Sequence, residues 1–208
     1  MEISYLGQAC FKITGKKISI LTDPYNPEML GLTLPKQEAD VVTVSHNHGD
    51  HNYLDIMKGE YLLLDSPGEY EVKESEFTGI FAAHDDKGGS ERGMVTIFSF
   101  SVDDLKICHL GDLGTELTSE QLDKVDGVDI LLIPVGGHYT IDAKTAVKVI
   151  SQIEPKIVIP MHYRAGKMEV LAPVSDFLHE MAVNPTPQDK LKIQAKDLPD
   201  ELEVIVLK

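Results

Sequence analysis

Short apolar segments that end in histidine or aspartate constrain this chain more than any other feature of its sequence. Five such segments are rich in β-branched and aromatic residues and are short for helices. They are Val41–Ser45, Phe77–Ala83, Leu105–Leu110, Val128–Pro134 and Lys156–Met161, and they lead into His46, His84, Asp112, His138 and His162. A buried core needs no polar side chains at these positions, whereas α/β proteins place their sites at the carboxyl ends of strands. The pattern therefore predicts strands that converge on one site.

The rest of the chain predicts an α/β fold. Three strand-like segments, Glu2–Leu6, Cys10–Thr14 and Lys17–Thr22, are separated by glycines that suit tight turns. Such early hairpins indicate mixed rather than purely parallel sheets. Helices are expected after the capping box at Thr118, after Asp142, and from Pro173 as a first helical position. At 208 residues, the chain is expected to form one domain over residues 1–208.

Charge and composition exclude several classes of partner. Thirty-four acidic residues against 19 basic ones give a formal net charge of -15, which disfavours extended nucleic acids and anionic membrane surfaces. The N-terminus lacks the basic and apolar regions of a secretory signal, and no apolar segment is long enough to span a bilayer. We therefore expect a cytoplasmic protein. Cys10 and Cys108 are expected to be buried thiols.

The segment His46-Asn-His48-Gly-Asp50-His51 is the sharpest chemical signal. Histidines two residues apart can face one ion, and the following aspartate and histidine can reach a second. Four ligands are too few for two coordination spheres, so the distant strand ends must supply the others. A solvated polar turn is the alternative interpretation, which the further histidines and aspartate at other strand ends make a poor one.

These residues together resemble the ligand set of the metallo-β-lactamase superfamily. The segments YLGQACFKI, ILTDP, VSHNHGDH, HLGDLG and IPVGGHYTIDAKTA are similar to its small bacterial branch that includes the ascorbate-6-phosphate lactonases. The likeness extends over nearly the whole chain and implies a four-layer αββα sandwich of two mixed β-sheets with the metals at one edge. One departure is Gln8, where this branch often has histidine.

The resemblance also implies roles for individual residues. It assigns His46, His48 and His84 to a first metal, Asp50, His51 and His162 to a second, and Asp112 to a bridge between them. Asp23 either orients the histidine-rich turn or simply ends a strand before Pro24.

Three further residues are candidates at the rim of this site. His138 follows a strand through two glycines, which favours a proton donor or substrate contact over a plain loop residue. Tyr139 either lines the same rim or is a surface tyrosine. Arg164 either binds a phosphate or carboxylate of the substrate or forms a surface salt bridge.

The expected function is hydrolysis that depends on two divalent metal ions. Zn²⁺ suits imidazole and carboxylate ligands best, and Mn²⁺ or Fe²⁺ would also be accepted. A hydroxide held by both ions would attack a small ester or lactone, with Asp50 as the proton acceptor and His138 as a candidate acid. The alternatives are a phosphodiesterase acting on a small phosphodiester and a metal-binding protein without turnover. The expected partner is a small-molecule substrate, and homo-oligomerisation stays open.

Overall fold

Thirteen β-strands in two sheets carry most of the regular structure in the computed structural model, which describes all 208 residues. The strands are β1 (Glu2–Gly7), β2 (Cys10–Thr14), β3 (Ser19–Thr22), β4 (Val41–Thr43), β5 (Leu62–Leu64), β6 (Gly68–Val72), β7 (Ser75–Ala83), β8 (Met94–Val102), β9 (Leu105–His109), β10 (Ile130–Pro134), β11 (Ile157–Met161), β12 (Leu191–Lys192) and β13 (Glu203–Val204). The helices are α1 (Pro27–Leu30), α2 (Ser119–Val125), α3 (Ala143–Ile153) and α4 (Val174–Glu180), with short 3-10 turns at Leu54–Ile56 and Ala195–Asp197.

Both sheets are mixed, as the early hairpins predicted. The first has the order β12-β1-β2-β3-β4-β5, in which β3, β4 and β5 are parallel and the other neighbours are antiparallel. The second has the order β13-β11-β10-β9-β8-β7-β6. Its strands β13, β11, β10 and β9 are parallel, and β9, β8, β7 and β6 alternate in direction.

The largest apolar cluster lies between the two sheets and holds them face to face. Phe11, Ile13 and Ile20 of the first sheet belong to the same buried cluster as Phe98 and Ile107 of the second. Each fully buried side chain of this size contributes about 1.5–3 kcal/mol relative to an exposed one.

Helices α2, α3 and α4 cover the outer face of the second sheet. The helix expected after Asp142 is α3, and its buried residues Ala146, Val149 and Ile150 belong to one cluster with strand residues such as Cys108 and Leu131. The capping box at Thr118 and the N-cap at Asp142 are both present. Pro173 differs from expectation, because its extended backbone makes it the N-cap of α4 rather than the first helical residue.

The outer face of the first sheet is covered more thinly. Leu21, Val42 and Val44 pack against Tyr25 and Leu30, around the four-residue α1. With this layer, the molecule is the four-layer αββα sandwich that the sequence predicted. None of its helices has the length and apolar character that a membrane span requires. Cys10 and Cys108 are free and buried, as expected.

Candidate metal centre

One edge of the sandwich collects every strand end that the sequence singled out. Strands β7, β9, β10 and β11 run in the same direction, so their carboxyl ends meet at this edge. In the first sheet, the ends of β3 and β4 and the turn between β1 and β2 lie there too. Hydrogen bonds join the two sheets at this edge, from the Thr96 amide to the Ser45 carbonyl (2.7 Å) and from the His162 amide to the Gln8 carbonyl (2.8 Å).

His46, His48 and His84 form the first group of candidate ligands. Their ring centroids are 4.4 Å apart for His46 and His48, 4.7 Å for His46 and His84, and 5.4 Å for His48 and His84. One nitrogen of each ring lies within 4.8 Å of the others. His84 is buried and His48 is exposed, so this group faces solvent on one side.

Asp50, His51 and His162 form the second group, and Asp112 lies between the two. His51 Nε2 is 3.3 Å from both Asp50 Oδ2 and Asp112 Oδ1. Asp112 Oδ2 is 3.2 Å from His162 Nε2, 3.7 Å from His84 Nε2 and 3.9 Å from His46 Nε2. Asp112 therefore contacts residues of both groups.

The spacing and the chemistry of these atoms suit a bound cation. Ligand atoms held at about 2.0–2.1 Å from a tetrahedral ion lie about 3.3 Å from one another, close to the separations around Asp112. The Nε2 atoms of His46, His51 and His162 and Asp112 Oδ1 are buried and have no hydrogen-bond partner. Because unpaired buried polar atoms are costly, a metal that accepts their lone pairs explains why they converge.

Asp23 and Ser45 fix the proton positions on two of these histidines. Asp23 is fully buried and accepts the Ser45 hydroxyl (2.6 Å) and His51 Nδ1 (2.8 Å) through one oxygen. Since a carboxylate only accepts, His51 Nδ1 must carry the proton, which leaves the lone pair on Nε2. The Ser45 hydroxyl donates its only proton to Asp23, so it can only accept a hydrogen bond from His46. His46 Nδ1 therefore donates to the hydroxyl oxygen (2.9 Å), and the lone pair of His46 Nε2 is free for a metal as well.

Asp23 thus contacts the histidine-rich turn as well as ending β3. Its second oxygen accepts the Ser45 amide (2.7 Å). Of the two sequence interpretations of Asp23, the contacts favour the one in which it orients this turn.

Gln8 supports the second group from the opposite side. Its side chain is 1% exposed, and its amide nitrogen donates to Asp50 Oδ2 at 2.9 Å. Its amide oxygen is buried and has no partner. Sequence reasoning gave Gln8 no role, because nothing in the sequence places the β1–β2 turn beside residue 50.

The backbone at this edge is held in unusual conformations. Gln8, Asp23, His138 and His162 all have positive φ, at 53°, 37°, 57° and 51°. Such conformations cost about 1–3 kcal/mol in L residues and cluster at functional sites. Gly136 permits the close approach of β10 to β11, since a Cβ there would lie 2.2 Å from the His162 carbonyl oxygen.

Burial and mutual charge shift the titration of the cluster. Burial opposes the protonated form of His51, but Asp112, Asp23 and Asp50 around it raise the pKa of His51 well above its ordinary value. Burial lowers the pKa of His46 to about 3, and the nearby His51 contributes. Burial also opposes the ionised form of Asp112, but His162 and His51 hold its pKa well below its ordinary value. Without a cation, the aspartates of the cluster therefore stay ionised, and His51 stays in its protonated, positively charged form.

Comparison with known proteins identifies the family. Residues 2–162 match the beta-lactamase superfamily domain. The chain belongs to this superfamily. It is 31% identical over 192 residues to a UPF0173 metal-dependent hydrolase of Thermococcus onnurineus, covering 78% of this chain and 84% of that protein. It is 32% identical over 189 residues to one of Staphylothermus marinus, covering 77% and 82% of the two chains.

Solved structures agree with this membership in the beta-lactamase superfamily. A candidate zinc-dependent hydrolase of the metallo-β-lactamase superfamily from Thermotoga maritima superposes with a TM-score of 0.82 at 35% identity, covering 99% of this chain and 97% of that one. A metallo hydrolase from Ignicoccus hospitalis shares the fold at 20% identity, with a TM-score of 0.69 and coverage of 93% and 99%.

The rim residues predicted from the sequence fall in two places. His138 is exposed, and its ring packs edge-on against Tyr139 with centroids 4.4 Å apart. Both residues line a cleft of about 300 Å³ that His84 also lines. Arg164 does not line this cleft, and its Nε donates to the Leu171 carbonyl at 2.8 Å. It forms no ion pair, so the salt-bridge interpretation of Arg164 is wrong in this structure.

The cleft wall contains two residues that sequence reasoning missed. Asp85 accepts four backbone N–H groups of residues 87, 89, 91 and 92, at 2.8–2.9 Å. The glycine-rich segment after His84 is therefore folded around this carboxylate. Arg92, at the end of the segment, donates to the His138 carbonyl at 2.8 Å. An aspartate preceding a glycine-rich segment was the available signal for this loop.

Proposed function

We propose that this protein is a metal-dependent hydrolase that uses two divalent metal ions to cleave a small ester or lactone. The observation that carries the proposal is the pair of ligand groups joined by Asp112, with unpartnered ring nitrogens directed into the cluster. The relatives from Thermococcus and Staphylothermus are named metal-dependent hydrolases, which supports the same reaction type.

The ligand groups would hold the two ions as follows. One ion would be held by His46, His48 and His84 and the other by Asp50, His51 and His162, with Asp112 placed to contribute to both. Imidazole and carboxylate ligands suit Zn²⁺, and Mn²⁺ or Fe²⁺ would also be accepted. A structural site encloses one ion with four ligands. Seven candidate ligands beside an open cleft favour catalysis over a purely structural role.

Bound there, two divalent ions would lower the pKa of water to about 7 and would polarise the carbonyl of an ester. The protein then has to hold the substrate and move protons. Asp50 is the candidate proton acceptor, because burial raises its pKa but the neighbouring His51 lowers it by more, which keeps Asp50 ionised. His138, with an exposed ring on the cleft wall, is the candidate proton donor to the leaving oxygen.

The decisive experiment combines metal analysis with a substrate screen. The purified protein, reloaded with zinc, should contain two ions per chain and hydrolyse members of a panel of lactones, thioesters and phosphodiesters. A single tightly bound ion that an Asp112→Ala variant retains would contradict the two-ion proposal. Turnover of phosphodiesters alone would favour the phosphodiesterase, and two bound ions with no turnover would favour a metal-binding protein.

Two histidine variants separate the proposed roles. His138→Ala should keep both ions and lose about 10²–10⁴-fold in rate, the usual contribution of an acid–base group. His162→Ala should lose the second ion together with activity. If His138→Ala retains near wild-type rates, His138 is no acid; if it loses a metal, it belongs among the ligands.

A further inference from the structure

The cleft beside the cluster contains one cationic side chain. Arg92 and Arg164 are the only arginines in a chain with a net charge of -15. Arg92 lines the cleft together with His84, His138 and Tyr139. The Arg92 side chain is not needed to fold its own loop, because Asp85 already holds that loop through four backbone N–H groups.

Most acidic residues of the cleft wall are already engaged. The Asp85 carboxylate accepts its four backbone N–H groups. Asp142 caps α3 by accepting the Thr145 amide at 2.8 Å. Glu91 pairs with Lys87. Asp86 is exposed and is the one acidic side chain of the wall without such a contact.

The Arg92 side chain is oriented but its charge is not neutralised. One terminal nitrogen donates to the His138 carbonyl at 2.8 Å, and the guanidinium carbon lies 5.1 Å from the centre of the Tyr139 ring. No carboxylate forms an ion pair with it, and a carbonyl and an aromatic ring carry no net charge. A guanidinium has five N–H donors, so most of them remain available to a ligand.

The same cleft reaches the candidate metal ligands through His84. A molecule that occupies the cleft can therefore contact both Arg92 and the first ligand group.

We propose that Arg92 is a substrate-binding residue that holds a carboxylate group of the substrate. The preferred substrates are then small lactones or esters that carry a carboxylate near the scissile bond. A single guanidinium matches a carboxylate through two parallel hydrogen bonds. A phosphate dianion carries a second negative charge, and the wall has no second cationic side chain to match it. This inference rests on the proposed hydrolase function.

Matched lactones test the inference with the zinc-loaded protein. The probes are γ-butyrolactones with a carboxylate, a carboxamide or a phosphomethyl group on the ring carbon next to the ring oxygen. The wild type should prefer the carboxylate. Arg92→Gln should lose about 10–100-fold in kcat/KM on the carboxylate lactone, mainly through KM, and nothing on the carboxamide. The kcat/KM of Arg92→Lys on the carboxylate lactone should lie between those of the wild type and Arg92→Gln, because lysine keeps the charge but lacks the planar guanidinium. Lys87→Gln, which removes the same charge from the same loop, is the control.

Binding measured without metal gives a second readout. Cyclopentanecarboxylate resembles the carboxylate lactone but cannot be hydrolysed, and in the metal-free protein only side chains can hold it. Ligand-observed NMR should detect binding to the wild type and Lys87→Gln, and much weaker binding to Arg92→Gln.

The outcomes distinguish this inference from the proposed function. If the wild type hydrolyses the carboxylate and carboxamide lactones with equal kcat/KM, and Arg92→Gln changes both values alike, Arg92 does not bind the carboxylate. A preference for the phosphomethyl lactone overturns the carboxylate assignment. If no lactone is hydrolysed, the hydrolase proposal fails for lactones, and the NMR comparison alone tests the role of Arg92. Equal binding of cyclopentanecarboxylate to wild type and Arg92→Gln, or binding to neither, overturns the inference.

Discussion

Replacing Asp23 by asparagine should lower the affinity of the protein for one of its two metal ions more than for the other. The Asp23 carboxylate accepts the Ser45 amide through Oδ1, and the Ser45 hydroxyl and His51 Nδ1 through Oδ2. Asparagine keeps the shape but has one acceptor oxygen. If that oxygen takes the Ser45 amide, the NH₂ group faces His51 Nδ1, which must then accept. The ring proton moves to His51 Nε2, and the lone pair needed for the metal is lost.

The size of the effect follows from the contacts that change. The opposite orientation of the amide would leave the buried Ser45 N–H without a partner at a cost of about 1–3 kcal/mol, so the arrangement that switches His51 is favoured. Residues that orient a metal ligand contribute about 10–100-fold in affinity, or about 1.4–2.7 kcal/mol. We expect this loss at the ion held by Asp50, His51 and His162. The other ion should lose less affinity, because the Ser45 hydroxyl can accept two hydrogen bonds and can therefore still accept from His46 Nδ1 while it accepts from the new NH₂ group.

Zinc titration against a chromophoric chelator measures the two affinities separately. Asp40→Asn is the matched control, since Asp40 also accepts a serine amide and the same serine's hydroxyl, from Ser19 at 2.8 and 3.0 Å, but lies away from the cluster. Asp40→Asn should bind both ions as the wild type does. The reasoning is refuted if Asp23→Asn binds two ions with unchanged affinity, or if Asp40→Asn loses as much.

Three further predictions follow from the same contacts. Metal removal should lower the melting temperature by about 5–10 °C relative to protein in zinc at 100 times Kd, because binding at that concentration stabilises the fold by about 2.7 kcal/mol. Scanning fluorimetry measures this difference, and identical curves after confirmed metal loss would contradict it. Because the pKa of His51 is raised in the metal-free chain, zinc binding at neutral pH should release a proton, and the zinc affinity should increase as pH rises. Calorimetry in buffers of different ionisation enthalpy detects the released proton, and identical heats in all of them would exclude it. Gln8→Leu should weaken binding of the second ion about 10–100-fold through the lost bond to Asp50. The metal-free melting temperature should change little, because removal of the buried amide oxygen that lacks a partner offsets the lost bond; a large drop in that temperature would make Gln8 structural instead.

The strands and the ligand candidates could be predicted because both leave periodic or local signals. Apolar segments such as Met94–Val102 have the observed bounds, and their polar ends gave the cluster. Strand β6 was missed because Gly68–Val72 contains two glutamates and lies at a sheet edge, where no apolar face is required. The segment Lys17–Thr22, expected as a strand, is one only over Ser19–Thr22.

The contacts that tune the site could not be predicted, since they join residues far apart in sequence. Gln8 and Asp50 are 42 residues apart, and Arg92 and His138 are 46 apart. Either pair is specified only once both sheets are in place. The substrate contact suggested for Arg164 by its position two residues after His162 stays a prediction, and its Nε donates to the Leu171 carbonyl.

The two ligand groups differ in how the fold supports them. The second group is buried and restrained by distant segments: Asp23 fixes His51, Gln8 holds Asp50, and the Gln8 carbonyl accepts the His162 amide. The first group contains the exposed His48, and of its three rings only that of His46 has a hydrogen-bond contact, with the Ser45 hydroxyl. His84 also lines the cleft that contains Arg92 and His138. The restrained group therefore ties the two sheets together, while the less restrained group lies where a substrate enters. This division explains why the second group, and not the first, should respond to changes at Asp23 and Gln8.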